Sequence, residues 1–152
     1  MSNIQGLIKK YETPTKAEKT TNEYNKKIRL EIACKNRHLI LDQLLLEIPF
    51  HLNQSQVQQI RYWIDTFNKD FKNFHRQSSN ETIILALIFI QRKKVNPRLQ
   101  VTKYTISKKY NLTTPIFEVI QNKLIFQLMK TTPLTYTQAK HYNHDILVKK
   151  GY

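Results

Sequence analysis

The sequence predicts an all-α protein: a compact helical bundle with a helix-turn-helix near its C-terminal end. Three observations lead there. Apolar residues recur at spacings of three, four and seven along most of the chain, the period of a helix face. Only two glycines occur in 152 residues, Gly6 and Gly151, and neither lies in the body. A fold of many tight turns draws on glycine for positive φ, so a β-rich fold is disfavoured. Finally, 40% of residues are hydrophobic and 11% aromatic, enough to build a core.

The elements follow in order. Residues 1–22 are polar, without apolar periodicity, and read as a basic N-terminal tail. A helix is expected from about Thr21, capped by Thr21 or Asn22, with Tyr24, Ile28, Ile32 and Leu39 on one face. It ends near Arg37 or continues through a break into Leu39–Ile48, a leucine-rich stretch expected to be buried. Pro49 stops it, because the residue before proline avoids the helical region. Asn53 with Gln56 forms a capping-box start for the next helix, which carries Val57, Ile60, Ile64, Phe67 and Phe71, with Trp63 and Phe74 beside them. Ser78 or Ser79 caps a third helix, Glu81–Arg92. Its run Ile83–Ile90 is apolar all round, which suits the centre of a domain. A buried strand is the competing reading for so β-branched a run. Two shorter helices are then expected, about Thr102–Tyr110 and from Thr113 or Thr114 to about Met129. The core domain is thus residues 23–132, followed by a basic C-terminal extension, 133–152.

Charge is unevenly spread. The chain holds 25 basic and 11 acidic residues, a net +14. Residues 41–90 hold four basic and five acidic residues, while 91–152 hold twelve basic and two acidic. A near-neutral middle and a strongly basic last third are the footprint of a polyanion partner.

The basic third contains the functional motif. Ile106 and Tyr110 pack inward, Asn111 takes a left-handed turn, Leu112 plugs it, and Thr113 or Thr114 caps a second helix with Pro115 in its first turn. A helix-turn-helix sets the start of its second helix in a major groove. Thr113, Thr114, Glu118, Gln121 and Asn122 then face bases or phosphates. Arg92, Lys93, Lys94, Arg98, Lys103, Lys108, Lys109 and Lys123 hold the backbone. Tyr104, Tyr110, Tyr136 and Tyr142 lie among these charges, where stacking or phosphate contact competes with ordinary packing.

These blocks resemble the cyclin fold as used in transcription factor IIB and its archaeal relatives. Leu44–Ile48 leads through Phe50-His51-Leu52-Asn53 to Val57–Phe67. His75-Arg76-Gln77-Ser78 precedes the apolar Ile83–Arg92. Ile106-Ser107, Leu112-Thr113 and Ile116-Phe117 take the helix-turn-helix places. The resemblance covers about residues 30–130, one cyclin-like repeat of five helices. It implies a scaffold contacting DNA near its last helices, or a protein partner through its early ones.

Catalytic chemistry finds little support. Asp65 and Asp70, five apart on one helix, share no face. His141 and His144, with Asp145 alone beside them, lack further ligands for a metal. The single cysteine, Cys34, excludes an intramolecular disulfide and a cysteine-based zinc site, and reads as a small buried apolar residue. The absence of glycines in the body rules out a phosphate-cradling loop. No cofactor, metal or small-molecule substrate is expected. Met1–Tyr24 lacks the apolar stretch of a signal peptide, and Ile83–Ile90 is too short to span a bilayer. The expected protein is therefore intracellular, nuclear or in the nucleoid or cytoplasm, and non-enzymatic. It binds duplex DNA, or RNA through the same charges. The alternative is an accessory subunit that binds a protein partner, with Trp63, Phe67, Phe71 and Phe74 as its exposed patch.

Overall fold

A computed structural model describes residues 16–131, and within that range it is mostly helical and has no strand. Five α-helices are formed: α1 (Lys16–Glu47), α2 (Gln54–Thr66), α3 (Asn80–Val95), α4 (Thr105–Lys109) and α5 (Thr114–Thr131). Short 3-10 helices, Asn68–Phe74 and Val101–Lys103, link α2 to α3 and α3 to α4. The chain divides into two units between Ala33 and Cys34. In the first, the described residues are the start of α1, with Tyr24 and Ile32 exposed.

α1 differs from expectation. It is one helix of 32 residues, without a break near Arg37, and it already runs at Thr21 and Asn22, so neither caps it. The apolar period puts Tyr24, Ile32 and Leu39 on one helix face, and the leucine-rich Leu39–Ile48, with Leu46, is expected to be buried. All four are exposed, Leu39 at 60% and Leu46 at 83%, while Leu41 and Leu44 are buried. The leucine-rich stretch therefore buries one face only. The helix stops at Glu47, two residues before Pro49, as the restriction on pre-proline residues requires.

The second unit is built around α3. Asn53 and Gln56 form the capping box at the start of α2, with mutual hydrogen bonds of 2.8 and 3.0 Å. Ile60, Trp63 and Ile64 point into the core. The helix ends at Thr66 rather than running through Phe71, and the 3-10 helix turns Phe67, Phe71 and Phe74 inward as a cluster with edge-on contacts. This corrects the partner patch expected at Trp63, Phe67, Phe71 and Phe74: all four are core residues, because the change of helix type at Phe67 folds the aromatic side chains over the end of α2.

Ser79 caps α3 by accepting from the Thr82 N–H, and ten consecutive residues, Thr82–Gln91, are buried. The helical reading of this β-branched run holds. Each aliphatic side chain fully removed from water contributes roughly 1.5–3 kcal/mol, so α3 is the main source of cohesion. α2 and α5 pack on it, and Phe89 joins Phe50 and Tyr104 in a second aromatic cluster. α4 is short. Thr82 donates its hydroxyl to the Tyr110 carbonyl at 2.5 Å, which fixes the end of α4 against the start of α3. Asn111 has φ 57°, the left-handed turn expected of it, and Leu112 is buried behind it. Thr113 accepts from the Ile116 N–H at 3.4 Å, and α5 buries Phe117, Ile120, Leu124 and Leu128.

Candidate nucleic-acid interface

The surface from the end of α3 to the middle of α5 carries the sequence-selected side chains. Residues 91–131 contain nine basic residues and a single acid, Glu118. Arg92, Lys93 and Lys94 occupy the last turn of α3, where cations suit the negative end of the helix dipole. Arg98 follows in the loop, Lys103 in the 3-10 helix, and Lys108 and Lys109 in the last turn of α4. Thr113 and Thr114 open α5, and Gln121, Asn122 and Lys123 lie about two turns further on.

Their surroundings differ. Arg98, Lys103, Lys108, Thr113, Thr114, Glu118 and Asn122 are exposed. Arg92 and Lys93 are half-buried, over the rings of Phe50 at 5.0 Å and Phe117 at 5.5 Å. Lys109 is exposed but paired with Glu47 at 2.6 Å, and Tyr110 donates its hydroxyl to the same carboxylate. The Lys109 hydrogen bond, then that of Tyr110, holds the Glu47 carboxyl below the usual carboxylate range. Lys123 donates to the Asn73 carbonyl at 2.9 Å. Lys94 stands apart: its ammonium donates to Gln91 Oε1 at 2.8 Å and lies 5.7 Å from the Trp63 ring, and burial lowers its pKa to about 7. At neutral pH this group carries only part of a charge, which suits packing better than phosphate binding.

A cleft of about 410 Å³ lies beside the start of α5. Lys93, Gln100, Thr102, Thr114, Phe117 and Glu118 line it. It brings a cation, two hydroxyls and an amide next to a helix start, a set of donors that suits a phosphate oxygen. Gln100 had no signal in the sequence, and Thr102, expected at the start of the first helix of the pair, lies instead in the 3-10 helix before it.

A second cluster lies elsewhere. Cys34, His38 and Asp65 come together between α1 and α2, with Arg61 and Asp42 beside them. Cys34 is half-buried rather than buried. Its thiol donates to Asp65 and not to His38, and burial followed by the Asp65 bond raises its pKa. An activated nucleophile needs a lowered pKa as well as a base; here the thiol has a carboxylate acceptor but a raised pKa. His141, His144, Tyr136 and Tyr142 lie outside the described residues. No protein-family model, curated protein or solved structure matches the chain. Among the described residues no helix is long and apolar enough to cross a membrane.

Proposed function

We propose that the chain binds duplex nucleic acid, without catalysing a reaction, through α4, the Asn111 turn and the start of α5 used as a helix-turn-helix on a cyclin-like bundle. The observation that carries this reading is the division of α4 and α5 into two faces. Ile106, Leu112, Phe117 and Ile120 are buried, while Lys108, Thr113, Thr114, Glu118 and Asn122 are exposed, and Thr114 and Glu118 line a cleft with Lys93. Phosphate contacts from Arg98, Lys103, Lys108 and Lys123 supply most of the affinity, so binding weakens steeply with salt. Base preference comes from Thr113, Thr114, Glu118, Gln121 and Asn122.

The test is fluorescence anisotropy with a mixed-sequence DNA duplex across a salt series, repeated with duplex RNA. Lys103→Glu/Lys108→Glu reverses two exposed charges without touching the Glu47 pair. Micromolar or tighter binding, lost by roughly tenfold to a hundredfold in the double variant, supports the reading. Absence of binding at low salt overturns it.

A second reading has one observation in its favour. Leu39 and Leu46, two turns apart on α1, are large, apolar and exposed. They suit a protein partner in a larger nucleic-acid complex. Leu39→Ser/Leu46→Ser would then abolish assembly with that partner and leave duplex binding intact.

A further inference from the structure

Cys34 and His38 are four residues apart on α1, so they share one helix face, one turn apart. Asp65 comes from the last turn of α2. The Cys34 sulfur, a His38 ring nitrogen and an Asp65 carboxylate oxygen all lie within 4.8 Å of one another. Cys34 Sγ is 3.2 Å from Asp65 Oδ1, and His38 Nε2 is 2.7 Å from the same oxygen. The tautomer of His38 follows from its other side. Arg61 Nη1 lies 3.0 Å from His38 Nδ1, and a guanidinium only donates. Nδ1 therefore accepts, and the ring proton sits on Nε2. Two protons, one from a thiol and one from an imidazole, converge on a single carboxylate oxygen.

One cysteine cannot build a site of several thiolates, but a mixed donor set needs only one: we propose that Cys34, His38 and Asp65 form a zinc site, in which one dication takes the space that these two protons fill. The donor set selects the metal. One thiolate, one imidazole and one carboxylate suit Zn²⁺, whereas Mg²⁺ and Ca²⁺ take oxygen ligands. Tetrahedral zinc places its ligand atoms about 3.3–3.8 Å apart, so the three groups need to shift by only about 1 Å. Cys34 and His38 are half-buried and Asp65 is exposed, so water takes the fourth position.

The proton balance is simple. Cys34 gives up its thiol proton to solvent and binds as thiolate. His38 stays neutral, its proton passing from Nε2 to Nδ1. One proton is released per ion. Arg61 opposes this exchange, because its donor faces the nitrogen that becomes protonated. Asp42, which already holds another guanidinium nitrogen of Arg61, gives it an alternative partner. The site therefore binds zinc more weakly than its donor set allows, and Arg61 sets the difference. In Arg61→Gln the amide oxygen accepts from Nδ1–H and supports the ligand in the usual way for a metal-bound histidine.

The full chain, reduced and metal-free, is titrated with Co²⁺ as the spectroscopic probe. One equivalent should produce a thiolate-to-cobalt charge-transfer band and the intense visible bands of a tetrahedral ion, and one equivalent of Zn²⁺ should bleach both. Cys34→Ser should lose the charge-transfer band. His38→Ala and Asp65→Ala should each weaken cobalt binding at least about tenfold. Arg61→Gln should tighten it, and His141→Ala/His144→Ala should leave it unchanged. Absence of the charge-transfer band in the wild-type chain overturns the site, whatever the variants do. Equal cobalt affinity in the wild type, His38→Ala and Asp65→Ala, each checked as folded by circular dichroism, overturns it as well.

Discussion

Arg37 and Arg61 on the α1–α2 side, and Arg98, Lys103 and Lys108 on the α3–α5 side, carry similar charges into different surroundings. The first two are closed by the fold. Arg37 is 7% exposed, donates to the Asn68 carbonyl at 3.1 Å and to its side-chain oxygen, and stacks 4.5 Å from the centre of the Phe71 ring. His38 meets Asp65, and Arg61 meets Asp42. On the other side the acids run out. Lys109 is paired with Glu47 of α1, while Arg98, Lys103 and Lys108 are exposed. Net charge alone does not distinguish these regions, and the distribution of partners does. One side spends its cations on holding helices together, and the other leaves them facing solvent, where a polyanion can use them.

Exchanging the two roles tests this contrast. Arg37→Ala should have the largest effect on stability. It removes a buried cation with two hydrogen bonds and a ring contact, and should lower the unfolding free energy by about 2–3 kcal/mol, read from urea midpoints. Duplex affinity per folded molecule should not change. An Arg37→Ala chain as stable as the wild type would break the comparison at its closed end.

Lys94 sharpens it, because its sequence position belongs to the basic side and its surroundings to the closed one. Burial lowers its folded pKa to about 7, against roughly 10.4 for an unfolded lysine. Between those values the unfolded chain binds a proton that the folded chain does not, so stability rises with pH across this window. Below about pH 7 the full cost of charging the group is present. Lys94→Met should therefore stabilise the fold at pH 6 by about 1–2 kcal/mol, discounted for the lysine's partial exposure. The gain should fade toward pH 10. Thermal unfolding across pH checks it, and a constant difference at all pH values would refute the assignment.

Arg98→Ala and Lys103→Ala probe the exposed end. Each should leave stability within about 0.5 kcal/mol. Each should also lower the dependence of log affinity on log salt by about one contact. A change in stability without a change in salt dependence would move that residue to the closed group.

The parts of this molecule that were legible in the sequence are those set by local chemistry. The capping box of Asn53 and Gln56, the Ser79 cap, the left-handed Asn111 and the apolar α3 each depend on residues a few positions apart. What was not legible depends on packing between distant segments. α1 continues past Arg37 because nothing in its sequence forces a break, and the exposure of Leu39 and Leu46 is decided by which face meets the body. The Phe67–Phe74 cluster folds inward because the chain leaves the α-helical path after Thr66, a change that apolar spacing does not encode. At the candidate interface the cations were visible as a charge excess, but the burial of Lys94 against Trp63, 31 positions away, was not. Cys34 and His38 stand four apart, yet Cys34 reads from the sequence as a small buried apolar residue rather than a ligand. Asp65 joins them only because α1 lies beside α2 there.

The smallest predicted effect concerns Glu47, an acid of α1 that reaches across to the basic side. Its carboxylate holds Lys109 at 2.6 Å and accepts from Tyr110. In the wild type a phosphate must compete with this carboxylate for Lys109. Glu47→Gln keeps the size and the hydrogen-bonding capacity of the side chain and removes its charge, so Lys109 becomes available. Duplex affinity at low salt should rise about twofold to threefold, with a slightly steeper salt dependence. The sign of the pH effect follows from the lowered pKa of Glu47. The carboxylate persists below the usual carboxylate range and is lost only as pH falls through its folded value. The ratio of variant to wild-type affinity should thus stay constant from neutral pH down through the ordinary carboxylate range, and approach one below it. Other acids titrate equally in both chains and cancel in that ratio. Equal affinities at neutral pH would place Lys109 outside the interface and confine the phosphate contacts to Arg98, Lys103, Lys108 and Lys123.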